Sequence, residues 1–360
     1  MQEKLQPFPT AILIHMVQSG IILFSLPRVA ADAFGTNGWI GVLLISIIVM
    51  LNIVLISLVF HFGKGRSIFN IFEDALPISL LRPFYLLLAL QWGTLAVLIA
   101  KDFEMLLRML YYPTMPFTGY VFISILLTYW LVTSGIYHIS KATVIFFFLS
   151  IWTMFLLFFH LSEFRLSRFT PFIFEGSKKL VEGGSGVFTA YLGYEIILLL
   201  FPYLAVKRST IKSFFYANVI TTTVYFFVCF VSFGYFSFEY LKNESFPSLT
   251  LLDYIRFPFV ERIEGFLYNL ASLSVLVTVV MYYWSANEAI KHALPKIKPN
   301  RSFALLLVVT FIISLNLTLM REVELALTIL ARIEIGIAIL LPIILIVLIS
   351  ITHMRRKTNA

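Results

Sequence analysis

The chain has 360 residues, of which 60% are hydrophobic and 37 are phenylalanine, and it carries a net charge of +8; its mean hydropathy is +0.92. Only 13% of the residues are charged, about half the fraction of a soluble domain, which excludes a soluble globular protein and points to an all-α polytopic membrane protein. The apolar runs are continuous and about twice the ~10 residues of an alternating barrel strand, which excludes a transmembrane β-barrel.

Ten spans are expected in chain order, near residues 10–31, 38–60, 82–110, 117–135, 142–161, 185–206, 213–238, 262–288, 302–320 and 333–353. The polar start MQEKLQPFPT leads into a run too long and too interrupted for a cleaved signal segment. That first run holds Gln18, Ser19 and Gly20 at its middle, and Pro27 follows. Glycine lowers helix stability and proline removes a backbone donor. In lipid, the freed backbone needs partners inside the protein or a polar cavity. The stretch is therefore read as an interrupted helix with its break near Gln18–Gly20; a kinked packing helix is the plainer alternative. Pro342 is expected to kink the tenth span.

Basic residues gather on one side of the expected topology: Lys4, Lys64, Arg66, Arg82, Lys141, Lys207, Arg208, Lys212, Lys291, Lys296, Lys298, Arg301, Arg355, Arg356 and Lys357. That side carries only four acids, Glu3, Glu73, Asp74 and Glu288. The positive-inside rule puts both termini in the cytoplasm, as an even number of spans also requires. The basic residues lie in short loops, so the net charge is no nucleic-acid signal. The opposite side carries two long connections, near 162–184 and 239–261, each suited to a short helix over that face. Cys229 is the single cysteine and packs in an apolar run.

The sixth run echoes the first. Ile21, Ile22, Leu23, Pro27 and Ala30 reappear 175 residues later as Ile196, Ile197, Leu198, Pro202 and Ala205. The match is short, but it falls on the first helix of each five-span half. Five is odd, so the halves would lie in opposite orientations. Broken helices in matching positions of inverted repeats are a transporter signature, with the ligand between the breaks. The expected architecture is a single transmembrane domain over 1–360, with a first repeat at about 10–161 and a second at about 185–353. Glu195, just before the echoed run, is read in two ways: as a ligand group, or as a buried acid that holds the broken helix open.

The patterns SGIILFSLPRVAADAFGTNGW at 19–39 and LGYEIILLLFPYL at 192–204, with ten spans, resemble the B subunits of spore germinant receptors. These form the endospore germination permease family of the amino acid–polyamine–organocation superfamily. The resemblance covers essentially the whole chain. Amino acid permeases of that superfamily share the broken first helix but usually have a Gly-rich break and more spans; here the break has one glycine, Gly20. The resemblance implies a LeuT-like core with broken helices 1 and 6, and a small nutrient germinant, often an amino acid, at its centre. It also implies A and lipoprotein C partner subunits. Half-helix ends offer N–H groups to a carboxylate and carbonyls to an ammonium. The ligand groups then fall at Gln18, Ser19, Gly20, Ile21 and Ile22 in the first break, and at Tyr191, Gly193, Tyr194 and Glu195 in the second.

Span three offers Gln91, Trp92 and Thr94 at mid-depth, and span eight offers Thr278 and Tyr282 on one helical face. The resemblance implies that Trp92, Thr278 and Tyr282 line the pocket; back-bonding of Thr278 and packing of Tyr282 are the plainer roles. Residues 335–339 of span ten close the site without any one residue standing out. Lys101, Asp102, Glu104 and Arg108 form either a gate or, more commonly, a snorkelling interface set. Ser272 and Ser274 are weak sodium-site candidates. Lys141 is read as obeying the charge rule, with a cation stand-in as the alternative. His15 is read as a packed histidine, with a pH-sensing role as the alternative.

No nucleophile elbow, phosphate loop or metal cluster is present in the sequence, so neither an enzyme nor a cofactor is expected. The expected function is a germinant sensor of the spore inner membrane that binds a small molecule and acts with partner subunits. The alternative is a proton- or sodium-coupled amino acid permease, which shares the fold.

Overall fold

A computed structural model describes residues 4–172, 174–176, 180–255 and 264–358. Glu3 and residues 256–261 of the second long connection lie outside the described residues. The first run forms α1 (Pro7–Gln18) and α2 (Leu26–Phe34), with a 3-10 turn at Ile21–Phe24 between them. Pro7 and Pro27 each sit in a first helical turn, where no backbone donor is needed. Pro27 therefore opens the second half of the broken helix rather than kinking a continuous one.

The chain then turns sharply into α3 (Gly38–Phe62). A Cβ on Gly38 would lie 2.4 Å from the Ala30 carbonyl oxygen, and one on Gly41 would lie 2.0 Å from the Phe34 ring. Eight residues in a straight helix span about 12 Å, so these approaches require a hairpin. Both glycines let α2 and α3 close upon each other.

A short helix α4 (Ile68–Ala75) leads to the long α5 (Ile78–Leu110). Then come α6 (Gly119–Ser134) and α7 (Ile136–Ser150), which continues as an unusually long 3-10 stretch to Ser162. The sixth run forms α8 (Leu180–Ala190) and, after an interruption, a 3-10 turn with α9 (Ile197–Leu200). The two parts meet at 57°. α10 (Arg208–Tyr235), α11 (Phe238–Asn243), α12 (Pro247–Asp253), α13 (Glu264–Ala293), α14 (Pro299–Leu315) and α15 (Met320–Thr358) complete the chain. Pro342 lies inside α15.

Each expected span thus has a helical counterpart. Among the described residues, six helical stretches are long and apolar enough to cross a bilayer, and the bent pair makes a seventh; α6 and α14 are apolar but shorter. On α3, Leu44, Ile47, Ile48, Leu51, Val54 and Leu58 are all exposed. An exposed apolar stripe with helical spacing has no place on a water-soluble surface and suits a lipid-facing one. The protein is an integral membrane protein.

The two interrupted helices run antiparallel. The start of α1 lies at the end of the sixth run, where the Leu5 N–H donates to the Tyr203 carbonyl at 2.9 Å and Lys4 reaches the Pro202 carbonyl. Their breaks meet in the middle. Beyond the breaks, α2 packs on α8 so closely that a Cβ on Gly183 would lie 2.4 Å from Ala33 Cα. Around this pair, α5 packs extensively on α13, and α10 packs on α1 and α3.

Candidate functional site

Where a helix stops inside a bundle, its last carbonyls lose their partners. Here side chains from neighbouring helices supply them. Gln18 Nε2 donates to the Tyr191 carbonyl at 2.8 Å, so a residue of the first break satisfies the second. Thr221 Oγ1 donates to Gln18 Oε1 at 2.7 Å and fixes the amide. The Tyr225 hydroxyl lies 2.6 Å from the Gln18 carbonyl and 2.7 Å from the Ala190 carbonyl. Thr278 Oγ1 sits 3.0 Å from the Val17 carbonyl and 3.2 Å from its own Ser274 carbonyl. Gly193 takes φ +113°, and a Cβ there would lie 2.7 Å from Val17 Cγ1. A glycine is what lets the second break press against the first.

A cavity of about 80 Å³ opens beside the first break. At about 10–15 Å³ for each enclosed water, it accommodates a small solute with a handful of heavy atoms. The break contributes Ser19, Gly20, Leu23 and Phe24, and the end of α1 contributes His15 and Met16. α7 and its 3-10 continuation supply Phe147, Ser150 and Met154; α10 supplies Val224 and Val228; α13 supplies Tyr268, Ala271 and Ser274. α12 covers it with Ser248 and Leu252. Ser248 Oγ donates to the Leu23 carbonyl at 3.0 Å, and the Tyr268 hydroxyl donates to Asp253 Oδ1 at 2.7 Å. No Asp, Glu, Lys or Arg lines the cavity. Its chemistry is that of hydroxyls, an imidazole and an apolar wall. Such a lining suits a small solute with both a polar and an apolar part.

A second cluster lies around Glu195. Glu195 Oε2 accepts from its neighbour Gly193 N–H at 2.7 Å, and Oε1 accepts from the Tyr282 hydroxyl at 3.0 Å. Glu334 of α15 accepts from Trp92 Nε1 at 2.9 Å, while Gln91 Nε2 donates to the Leu330 carbonyl at 2.8 Å. Glu195 and Glu334 are 4% and 0% exposed.

The expected site residues therefore divide. Ser19 and Gly20 line the cavity. Gln18 and Tyr191 brace the two breaks, and Thr278 packs against the end of α1. Trp92, Tyr194, Glu195 and Tyr282 gather at the acid cluster, beside Gly193. Ile21 and Ile22 are half-buried in the 3-10 turn, and Thr94 joins neither group. Among the other candidates, Ser274 lines the cavity, Ser272 bonds to its own helix, and Lys141 is exposed over the Tyr137 ring. Lys101 and Glu104 are 0% and 1% exposed, so they are interior rather than snorkelling; Lys101 Nζ lies 3.5 Å from the Phe117 ring centroid.

Comparison with known proteins fixes the context. The family model described as "Spore germination protein" matches residues 4–323. The chain belongs to this germination permease family. Spore germination protein GerQB of Bacillus cereus is 24% identical over 325 residues, 89% of each chain. Spore germination protein B2 of Bacillus subtilis (strain 168) is 23% identical over 271 residues, 74% of this chain and 73% of the relative. Among solved structures, MHP1 is a nucleobase-cation-symport-1 family transporter, solved closed with bromovinylhydantoin bound. It aligns with TM-score 0.67 at 12% identity, over 91% of this chain and 75% of its own. MhsT in complex with L-phenylalanine aligns with TM-score 0.64 at 12% identity, over 94% and 89%. The fold of this family member is therefore that of the LeuT-like transporters, as the broken helices imply, and the protein is not an enzyme.

Three residues of the germination permease core escaped the sequence reading. Thr221 and Tyr225 had a signal, since polar residues four apart share one face of an apolar helix. Glu334 is an ionisable residue inside an apolar run, which is itself a functional pointer. Tyr225→Phe removes a hydroxyl that serves both breaks. It is expected to lower stability by about 1–3 kcal/mol, read as a drop in Tm of the detergent-purified protein. Tyr216→Phe, on the exposed face of α10, is expected to leave Tm unchanged.

Proposed function

We propose that this protein is a germinant-sensing subunit that binds a small amino acid in the cavity beside the first break. The observation that carries the reading is that cavity: it abuts the interrupted helix of a germination permease, carries no charged lining, and has room for a small zwitterion. The hydroxyls of Ser19, Ser150 and Ser274 and the His15 imidazole supply the polar contacts, and the apolar wall takes the side chain. Occupancy shifts the balance between two core arrangements, to the extent that the ligand prefers one of them. The change passes to A and C partner subunits in the spore inner membrane and starts germination. Both termini lie on the core side, as the distribution of basic residues supports. The antiparallel broken helices support two inverted repeats, at about 10–161 and 185–353.

A ligand that binds only the folded protein raises its apparent stability, by about 2.7 kcal/mol at a hundred times its Kd. One or a few of the twenty amino acids are therefore expected to raise Tm in a thermal-shift screen of the purified protein. No shift with any of them overturns the amino acid reading. The likeness to MHP1 and MhsT keeps a second reading, a proton- or sodium-coupled amino acid permease. Accumulation of labelled amino acid in liposomes under an ion gradient favours that reading; binding without accumulation favours the sensor.

A further inference from the structure

The 3-10 continuation of α7 runs for twelve residues, Ile151–Ser162. Runs beyond about four residues are uncommon, because 3-10 hydrogen bonds have poorer geometry than those of an α-helix. The sequence of this stretch is patterned for it. With three residues per turn, side chains three apart stack in one row. Trp152, Phe155, Phe158 and Leu161 form an outward row, and all four are exposed. Ile151, Met154, Leu157 and His160 form an inward row. The first three line the cavity, and Leu157 and His160 are buried. The third row, Thr153, Leu156 and Phe159, passes from the cavity wall to the outside.

His160 is the polar member of the inward row. Its Nε2 lies 2.8 Å from the Leu251 carbonyl oxygen. A carbonyl only accepts, so this nitrogen carries the hydrogen and donates. The ring also packs edge-on against Tyr235, with centroids 4.9 Å apart. Leu251 belongs to α12, whose Ser248 and Leu252 cover the cavity. From Ile151 to His160 a 3-10 helix makes about three whole turns, whereas an α-helix makes about two and a half. An α-helical stretch that kept Ile151 on the cavity would therefore turn His160 to the opposite side, towards lipid. An imidazole is costly there. Phe158 would swing inward in the same winding, and Leu156 would swing outward.

We propose that His160 is a positioning residue: its bond to the Leu251 carbonyl holds Ile151–Ser162 in three-residue register and so keeps Ile151, Met154 and Leu157 together on the cavity wall. The same bond ties the register to α12. A shift of α12 off the cavity takes the Leu251 carbonyl with it, and the stretch is then free to rewind as an α-helix. Rewinding shortens its twelve residues by about 6 Å and draws Phe164 from its place against Gly234. The wall thus has two shapes, and α12 selects between them. What this means for a ligand rests on the cavity being the germinant site; the register itself does not.

Oxygen accessibility of nitroxide spin labels tests the register, read by EPR power saturation on the full-length protein in liposomes with no ligand added. Single cysteines for the label replace Trp152, Phe155, Leu156, Phe158 and Leu161 one at a time. The background is Cys229→Ala, which removes the one native thiol. The wild-type register is expected to give severalfold higher accessibility at positions 152, 155, 158 and 161 than at 156. A pattern with 156 high and 158 low is that of an α-helix and overturns the 3-10 element. His160→Phe keeps a ring against Tyr235 and removes the donor, and it is expected to exchange the accessibilities of 156 and 158. His160→Gln supplies an amide donor in place of the imidazole and is expected to restore the wild-type order. An unchanged order in His160→Phe, or a glutamine variant that behaves like it, overturns the role of His160. If His160→Phe fails to fold, His160→Leu is read in the same way, and the wild-type scan still decides the register. A general loss of packing lowers Tm without exchanging the two positions. Failure of the amino acid screen leaves these outcomes untouched.

Discussion

Gly20→Trp is expected to abolish the amino acid response while leaving the amount of protein in the membrane unchanged. In a thermal-shift titration, the variant's Tm stays flat at ligand concentrations that raise the wild type. The reason is local. Gly20 has ordinary extended backbone angles, and a Cβ there would meet Thr278 Oγ1 at 3.4 Å, an ordinary contact. The backbone thus accepts a side chain, but an indole has only the neighbouring cavity of about 80 Å³ to occupy. Overpacking costs about 1–3 kcal/mol, which a buried bundle of this size tolerates. Gly20→Ala adds one methyl group at that contact and is expected to keep the response. A full response from Gly20→Trp would remove the first break from the site.

Gly193→Val is expected to act in the opposite way, on the fold rather than on the ligand. At φ +113° a side chain is strained in any surroundings, by about 1–3 kcal/mol. A Cβ would also lie 2.7 Å from Val17 Cγ1 and 3.3 Å from the Gln18 nitrogen. Those atoms belong to the end of α1, so the variant pushes the two breaks apart and strains the bond from Gln18 to Tyr191. A combined loss of about 3 kcal/mol or more follows, visible as low expression and a depressed Tm. Wild-type stability in Gly193→Val would show that the breaks do not meet as described.

The sequence carried the breaks because an apolar run has little reason to hold Gln18-Ser19-Gly20 or Gly193-Tyr194-Glu195. The long apolar runs likewise placed each expected span on a helix, although the short α4 was not expected. The partners of the breaks were a different matter. Gln18 reads as a ligand group in isolation. Its role as a brace depends on Tyr191, Thr221 and Tyr225, some 173 to 207 residues away, and no local pattern reports such distances. Glu334 went unremarked because the tenth span was expected to begin at 333, which puts an acid at the membrane edge; α15 begins at Met320 instead. The cavity wall was hidden for a third reason. Phe147, Met154 and Val224 resemble every other apolar residue until three helices bring them to one place. Lys101 was misjudged because long cations near span ends usually reach for water, whereas this one is covered by Phe117.

The uncharged lining of the cavity has a kinetic consequence. With no fixed charge at its walls, the cavity does not steer a solute towards itself, so capture proceeds at the rate of unguided encounter. Many small metabolites will enter at similar frequency, nutrient or not. If the cavity is the germinant site, discrimination would fall on how long each one stays, and α12, held over the break through Ser248 and linked to α13 through Tyr268 and Asp253, would set that dwell time. The receptor would distinguish its germinant by departure rather than by arrival.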